Sequence, residues 1–378
     1  MRNARRRGLT IAAGALAGLI LAVLADFAIS PIVLPEPNAG VEWVGAAERP
    51  YLLRDDGWYE LKRDFSGRDY WGTAIYAVKT DEYGYRTNER GPAKSGLADT
   101  IVLGDSFAYG INGPWADTFA GMYDLASARR ILNAAVPSYS PTPYLHRYRE
   151  ALDRGALTPA HTVIVALDIS DVHDEAGVWI DGADHPKSLR AVNDDMGLVG
   201  EVRAAAAAGW RGRLRDRLRF TGEIYRYFRY SVFRIPNDGV FDQMVSAFTW
   251  DDWARLDATP AAITGFSPLG VAGGLDRITR KVADIVTAAR AVDSRVYVLI
   301  YPWPAQLKHP STFSWPGFVA EVCERAQCAG VIDTFPAFEA QAKADAGWYD
   351  DLYVSNDVHF NRRGNRLIHE ELARVLPP

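Results

Sequence analysis

An α/β fold built on a five-stranded parallel sheet is predicted by three features of the 378-residue chain: short apolar runs, helix-like segments between them, and turn residues closing each run. Runs that are apolar at nearly every position belong to strands covered on both faces, and their alternation with helices makes the sheet parallel. The strands are "TIVLG" (100–104), "RILNAAV" (130–136), "HTVIVALDI" (161–169), "RVYVLIY" (295–301) and "GVIDTF" (330–335). The helices include "DTFAGMYDLASA" (117–128), "PTPYLHRYREALDRG" (141–155) and "LDRITRKVADIVTAARAV" (275–292). Together these give a three-layer α/β/α arrangement of flavodoxin-like type. Ligands of such sheets sit beyond the C-terminal ends of the strands. Gly104-Asp105-Ser106, "VPSYSP", "SDVHDE" and "YPWPAQ" all fall at that edge.

Residues 35–98 read as a small β-rich lead-in, with alternating runs such as "GWYEL" and "TAIYAV" before a turn-dense stretch. The α/β domain then occupies 99–378, interrupted by an insertion at about 173–265. Within the insertion, Trp210–Arg234 holds eight arginines against one Asp and one Glu, with aromatics between them. One reading is a helical cap whose aromatics pack while the arginines face water. The other is a surface for anionic head groups or an acidic glycan.

The N-terminus is a separate segment, 1–34. Arg2, Arg5, Arg6 and Arg7 precede the uncharged run Leu9–Ala25, which Asp26 breaks. At helical rise that run spans roughly 26 Å. It exceeds the usual core of a cleaved signal peptide, so a transmembrane signal anchor through residues 9–34 is expected. Cleavage after Val23-Leu24-Ala25 is the alternative. Both leave the arginines in the cytoplasm and the remaining chain outside it, on the periplasmic side of the inner membrane. Cys323 and Cys328 are the only cysteines, and in that compartment a disulfide tying a helix end to its following loop is expected.

Composition narrows the classes further. Apolar residues at 48% and charged ones at 24% are globular values, and a net charge of −5 gives no footprint for nucleic acid. Asp171, His173, Asp174 and Glu175 cluster in "SDVHDE", but no second group has ligand spacing, so neither a metal nor a cofactor is expected.

Ser106 ends the first strand. A serine nucleophile needs a base, commonly a histidine oriented by a carboxylate. Of seven histidines, His359 lies in "NDVHFNRRGN", in a loop after the last strand, with Asp357 two residues before it. With these residues in place the chain resembles the SGNH/GDSL hydrolases. "VLGDSFAYG" resembles their first block and "NDVHFNRRGN" their last, while "NAAVPSYSP" and "VALDISDVHD" stand for the second and third. "DEYGYRTN" resembles the lead-in of many bacterial members. The resemblance covers about 81–375 without the insertion. It implies Ser106 as nucleophile, His359 as base and Asp357 as its partner. It further implies an oxyanion site from Ser106 N–H, the position of Ser138 (glycine in the family) and that of Ser170 (asparagine in the family).

The spacing of Asp357 and His359, D-x-H, resembles the variants related to proteins that O-acetylate exopolysaccharides such as alginate. That resemblance implies an anchored, extracytoplasmic serine esterase or O-acyltransferase. Its substrate would be acyl groups of a cell-envelope polysaccharide, and a membrane-bound acyltransferase a candidate partner. Trp303, Asp171 and Arg86 are the candidate substrate-binding residues. Two other classes stand beside it: a catalytically silent domain that binds glycan, motivated by Ser138 and Ser170, and a lipid-directed esterase, motivated by the Arg/aromatic insertion.

Overall fold

The computed structural model describes residues 49–53, 57–71, 74–90, 96–111, 113–128, 130–188, 268–308, 313–354 and 357–378, with Ala25 in isolation. The expected anchor at 1–34, most of the insertion and Asn356 lie outside the described residues. From residue 49 onward the described residues fall in one compact unit. No helix among them is long and apolar enough to cross a membrane.

The strands are β1 (Tyr51–Leu53), β2 (Tyr59–Leu61), β3 (Ser66–Trp71), β4 (Ala74–Thr80), β5 (Arg86–Thr87), β6 (Ala98–Leu103), β7 (Ile131–Asn133), β8 (Leu157–Leu167), β9 (Trp179–Ile180), β10 (Lys187–Ser188), β11 (Arg295–Ile300) and β12 (Gly330–Asp333). The helices are α1 (Ser106–Tyr109), α2 (Phe119–Ala126), α3 (Pro141–Asp153), α4 (Ser170–Gly177), α5 (Gly270–Arg290), α6 (Pro304–Lys308), α7 (Trp315–Ala326), α8 (Phe335–Ala344), α9 (Trp348–Leu352) and α10 (Arg362–Val375).

The central sheet has eight strands in the order β12-β11-β8-β6-β7-β5-β4-β3. Its first five strands run parallel. This corrects the expected five-stranded parallel sheet: β5, β4 and β3 extend it antiparallel. The lead-in therefore pairs directly onto the α/β sheet, through the single register pair Arg86–Asn133. Two-stranded antiparallel pairs β1–β2 and β9–β10 stand beside it.

Coverage on both faces explains the apolar runs. Ile101, Val102 and Leu103 of β6 and Val163, Ile164, Val165 and Leu167 of β8 are wholly buried, each such side chain contributing roughly 1.5–3 kcal/mol. Helix α5 packs with α3, α4 and α7, while α10 packs with α2, α8 and α9. Helix α5 buries Val271, Ile278, Val282, Ile285, Val286 and Ala289, the spacing of a helical stripe turned inward. Caps fix the helix starts: the Thr118 hydroxyl accepts from Gly121 N–H, and the Asn361 carboxamide accepts from Arg363 and Gly364 N–H. Cys323, near the end of α7, is disulfide-bonded to Cys328 in the loop that follows.

Candidate active site

Ser106 stands at the C-terminal end of β6, where the strand breaks into the four-residue helix α1. Asp105 caps that helix by accepting from Phe107 N–H at 2.9 Å. Gly104 allows the tight turn, since a Cβ there would lie 2.5 Å from Ala108 Cβ and 3.1 Å from Ala166 Cβ. Buried Asn133 braces the helix from β7, donating to Ala108 O at 2.8 Å.

His359 is buried in the loop between α9 and α10. Its Nε2 lies 2.8 Å from Ser106 Oγ, and its Nδ1 lies 2.7 Å from Asp357 Oδ1. The same carboxylate oxygen accepts from His359 N–H at 3.1 Å. A carboxylate can only accept, so Nδ1 carries the proton and Nε2 presents its lone pair to the serine. The Phe107 ring packs 4.5 Å from the imidazole. Tyr349 pins the loop: its hydroxyl donates to Asp357 O at 2.9 Å and accepts from Asp357 N–H at 3.0 Å. Three residues expected to act together are thus joined in one hydrogen-bonded line, and the arrangement can deprotonate the serine as it attacks a carbonyl carbon.

The third-block residue behaves differently. Ser170 donates both its N–H (2.7 Å) and its hydroxyl (2.5 Å) to Asp168 Oδ1. A hydroxyl has one proton to give, so Ser170 supplies no side-chain donor to an oxyanion. This corrects its expected role, and the cause is local: Asp168 sits two residues upstream, within easy reach of a short side chain. By contrast, Ser106 N–H and Ser138 N–H have no acceptor among the described residues. Ser138 takes φ +61°, a left-handed conformation that favours glycine.

All three candidate substrate-binding residues are internal. Arg86 is 1% exposed, and its guanidinium donates to Tyr109 O, Gly110 O and Gly113 O, each at 2.6 Å. Asp171 is buried, accepting from Asp168 N–H at 2.9 Å and lying 3.0 Å from the Tyr144 hydroxyl. Trp303 is buried 5.9 Å from Phe107, so its face does not meet solvent. Each was a polar or aromatic residue at the right sheet edge, and pattern alone does not separate edge residues that face out from those that brace the turn beneath.

Burial dominates the electrostatics of that floor. It pushes the carboxyls of Asp105 and Asp171 well above their ordinary range, with the neighbouring Asp168 adding to both. A cavity of about 240 Å³ opens beside the serine. Ser106, His359, Gly110, Ile111, Phe360 and Arg362 line it, with Arg362 paired to Asp117 at 3.0 Å. Among the described residues no cluster of metal-ligating side chains occurs.

No protein-family model and no curated protein matches the chain. It is similar to solved structures of low identity. One is a member of the lipolytic protein G-D-S-L family from Veillonella parvula DSM 2008, at 11% identity and TM-score 0.37, spanning 73% of this chain and 97% of that one. Another is a catalytic mutant of an acetylxylan esterase from Geobacillus stearothermophilus, at 11% identity and TM-score 0.38, spanning 74% and 95%. A third is the psychrotrophic esterase EstA from a Pseudoalteromonas species, at 12% identity and TM-score 0.35, spanning 73% and 95%. At such distances the likeness carries no weight for the site, whose chemistry rests on its own geometry.

Proposed function

We propose that the chain is an SGNH-type serine esterase or O-acyltransferase that removes or transfers acyl groups, acetyl foremost, on a cell-envelope polysaccharide. The single observation that carries the reading is the line Ser106 Oγ–His359 Nε2–His359 Nδ1–Asp357 Oδ1, with steps of 2.8 and 2.7 Å. His359 takes the Ser106 proton as Oγ bonds to the ester carbon. The carbonyl oxygen becomes an oxyanion facing backbone N–H groups. Collapse expels the alcohol, which receives the proton from His359 and leaves an acyl-serine. Water or a sugar hydroxyl, deprotonated by His359, then attacks the acyl carbon and restores Ser106.

The D-x-H spacing of Asp357 and His359 supports the polysaccharide half of the reading. The arginine-flanked apolar run Leu9–Ala25 supports an anchored, extracytoplasmic domain, placed where a membrane-bound acyl donor system would meet it.

The test is a fluorophosphonate reaction on the purified full chain with mass analysis of the Ser106 peptide. Acetate release from an O-acetylated polysaccharide, and transfer to its deacetylated form, are followed alongside. A Ser106 adduct, and turnover lost in Ser106→Ala, are expected. No adduct, and turnover equal in Ser106→Ala, would replace this reading by a silent glycan-binding domain. One observation already favours that second reading: the Ser170 hydroxyl is committed to Asp168. Fatty-acid release from phospholipid in excess of deacetylation would favour the lipid-directed esterase, whose motivating segment Trp210–Arg234 lies outside the described residues.

A further inference from the structure

The turn before α3 is built around a peptide that has two orientations open to it. Tyr139 N–H donates to Val136 O at 3.2 Å, which makes Val136–Tyr139 a β-turn with Pro137 and Ser138 at its centre. Proline holds φ near −65°, and Ser138 has φ +61°. A negative φ followed by a positive one defines a type II turn, whose third position favours glycine. Serine is strained there. Type I differs by a flip of the central peptide, after which the third position takes a negative φ that serine adopts readily. Left to local preference, the turn would flip.

Tyr59 opposes the flip. Its phenol donates to Pro137 O at 2.6 Å. Burial pushes the phenol pKa up, so this donor keeps its proton. The C=O and N–H of a trans peptide point in opposite directions. Tethering Pro137 O therefore aims Ser138 N–H the other way, and that N–H has no acceptor among the described residues. Trp179 holds the next peptide, its Nε1 donating to Ser138 O at 2.8 Å.

The tether is itself braced. Tyr59 packs 5.5 Å from Tyr139 and 5.8 Å from Trp179, and Trp58 stacks on Tyr139 at 5.1 Å. Arg277 donates to Trp179 O at 2.7 Å and pairs with Glu175 at 3.2 Å. Glu175 accepts from Ser140 Oγ at 2.7 Å and from Thr142 N–H at 2.6 Å, fixing the far side of the turn.

We propose that Tyr59, supported by Trp179, is a positioning residue. It locks the Pro137–Ser138 peptide in the type II orientation, so that Ser138 N–H joins Ser106 N–H in a two-donor oxyanion site lacking the family's carboxamide. This rests on the acyl-serine reading above. A lead-in strand, not the α/β core, then controls the second donor, and serine replaces glycine at the cost of needing a tether.

The experiment compares the full-length wild type, Tyr59→Phe, Ser138→Gly and the double variant. It measures kcat and KM for p-nitrophenyl acetate and the rate of fluorophosphonate labelling at Ser106. Tyr59→Phe should lower kcat about 10- to 100-fold with KM within about twofold, since losing one oxyanion donor elsewhere costs about 100- to 1,000-fold. Ser138→Gly alone keeps the backbone N–H and is measured as the reference for the double variant. The double variant should recover most of the lost kcat, because glycine holds the positive φ without help. Rescue by glycine is a result that simple misfolding does not produce. An unchanged kcat in Tyr59→Phe, or a loss that Ser138→Gly fails to recover, would overturn the proposal. A wild type that neither turns over nor labels would instead overturn the acyl-serine reading, and this proposal with it.

Discussion

Replacing Arg86 by methionine removes the bonds from Nη1 to Tyr109 O and Gly110 O and from Nη2 to Gly113 O, all at 2.6 Å. Hydrogen bonds from a charged donor contribute roughly 1.5–3 kcal/mol each, so the gross loss is about 4.5–9 kcal/mol. Against it stands the desolvation of a buried guanidinium, several kcal/mol by general experience, which methionine does not incur. No carboxylate lies within ion-pair distance of Arg86 among the described residues. The ring faces of Tyr109 and Tyr76, 4.8 and 5.4 Å away, offset part of that desolvation in the native protein. A net destabilisation of about 3 kcal/mol follows, or a Tm lower by roughly 6–12 °C for a domain of this size. Thermal unfolding followed by circular dichroism on the full chain measures it, with Arg86→Lys as the control. Lysine keeps the charge without the fork and should fall between the two. A methionine variant within about 2 °C of wild type, or a lysine variant equal to wild type, would refute a clamp built from three directed bonds.

Two further outcomes are expected. Asp171 keeps its proton longer in the folded chain than the ordinary carboxyl value of 3.8, because burial and then Asp168 and Asp105 disfavour its charge. The Tyr144 hydroxyl donates to Asp171 Oδ1 at 3.0 Å and Asp168 N–H to Oδ2 at 2.9 Å, which offsets part of that effect without reversing it. The folded state then binds more protons than the unfolded one from about pH 4 upward, so stability falls as pH rises through that range. Asp171→Asn mimics the protonated acid and should flatten the fall of Tm with pH; an unchanged slope would contradict the assignment. Asp357→Asn should lower kcat about 100- to 10,000-fold by upsetting the His359 tautomer, with KM little changed, in steady-state assays on the aryl ester. Activity within about threefold of wild type would remove Asp357 from the reaction.

The parallel strands were legible because their burial on both faces writes itself as unbroken apolar runs. The expected "HTVIVALDI" at 161–169 overlaps β8 at Leu157–Leu167, and "RVYVLIY" at 295–301 overlaps β11 at Arg295–Ile300. The partner of the lead-in was not legible. Alternation in "TAIYAV" marks a strand, yet the one register pair that joins β5 to β7 leaves no pattern in either segment. Arg86 was expected to bind substrate, but its burial depends on carbonyls 23 to 27 residues away, which no local pattern records. The pairing of Ser106 with His359 was expected from the resemblance of "VLGDSFAYG" and "NDVHFNRRGN" to the first and last SGNH/GDSL blocks. The failure of Ser170 as a donor was not: it turns on one rotamer, set by Asp168. Tyr59 carried no motif, although Pro137 before a small polar residue did mark the turn it holds.

The 2.8 Å contact between Ser106 and His359 spans 253 residues of sequence. On the acyl-serine reading, a growing chain therefore carries its nucleophile long before its base, and a ribosome-bound intermediate shorter than 359 residues lacks the proton acceptor that reading requires. The proposed chemistry would in this sense begin only once synthesis has passed the loop that carries His359.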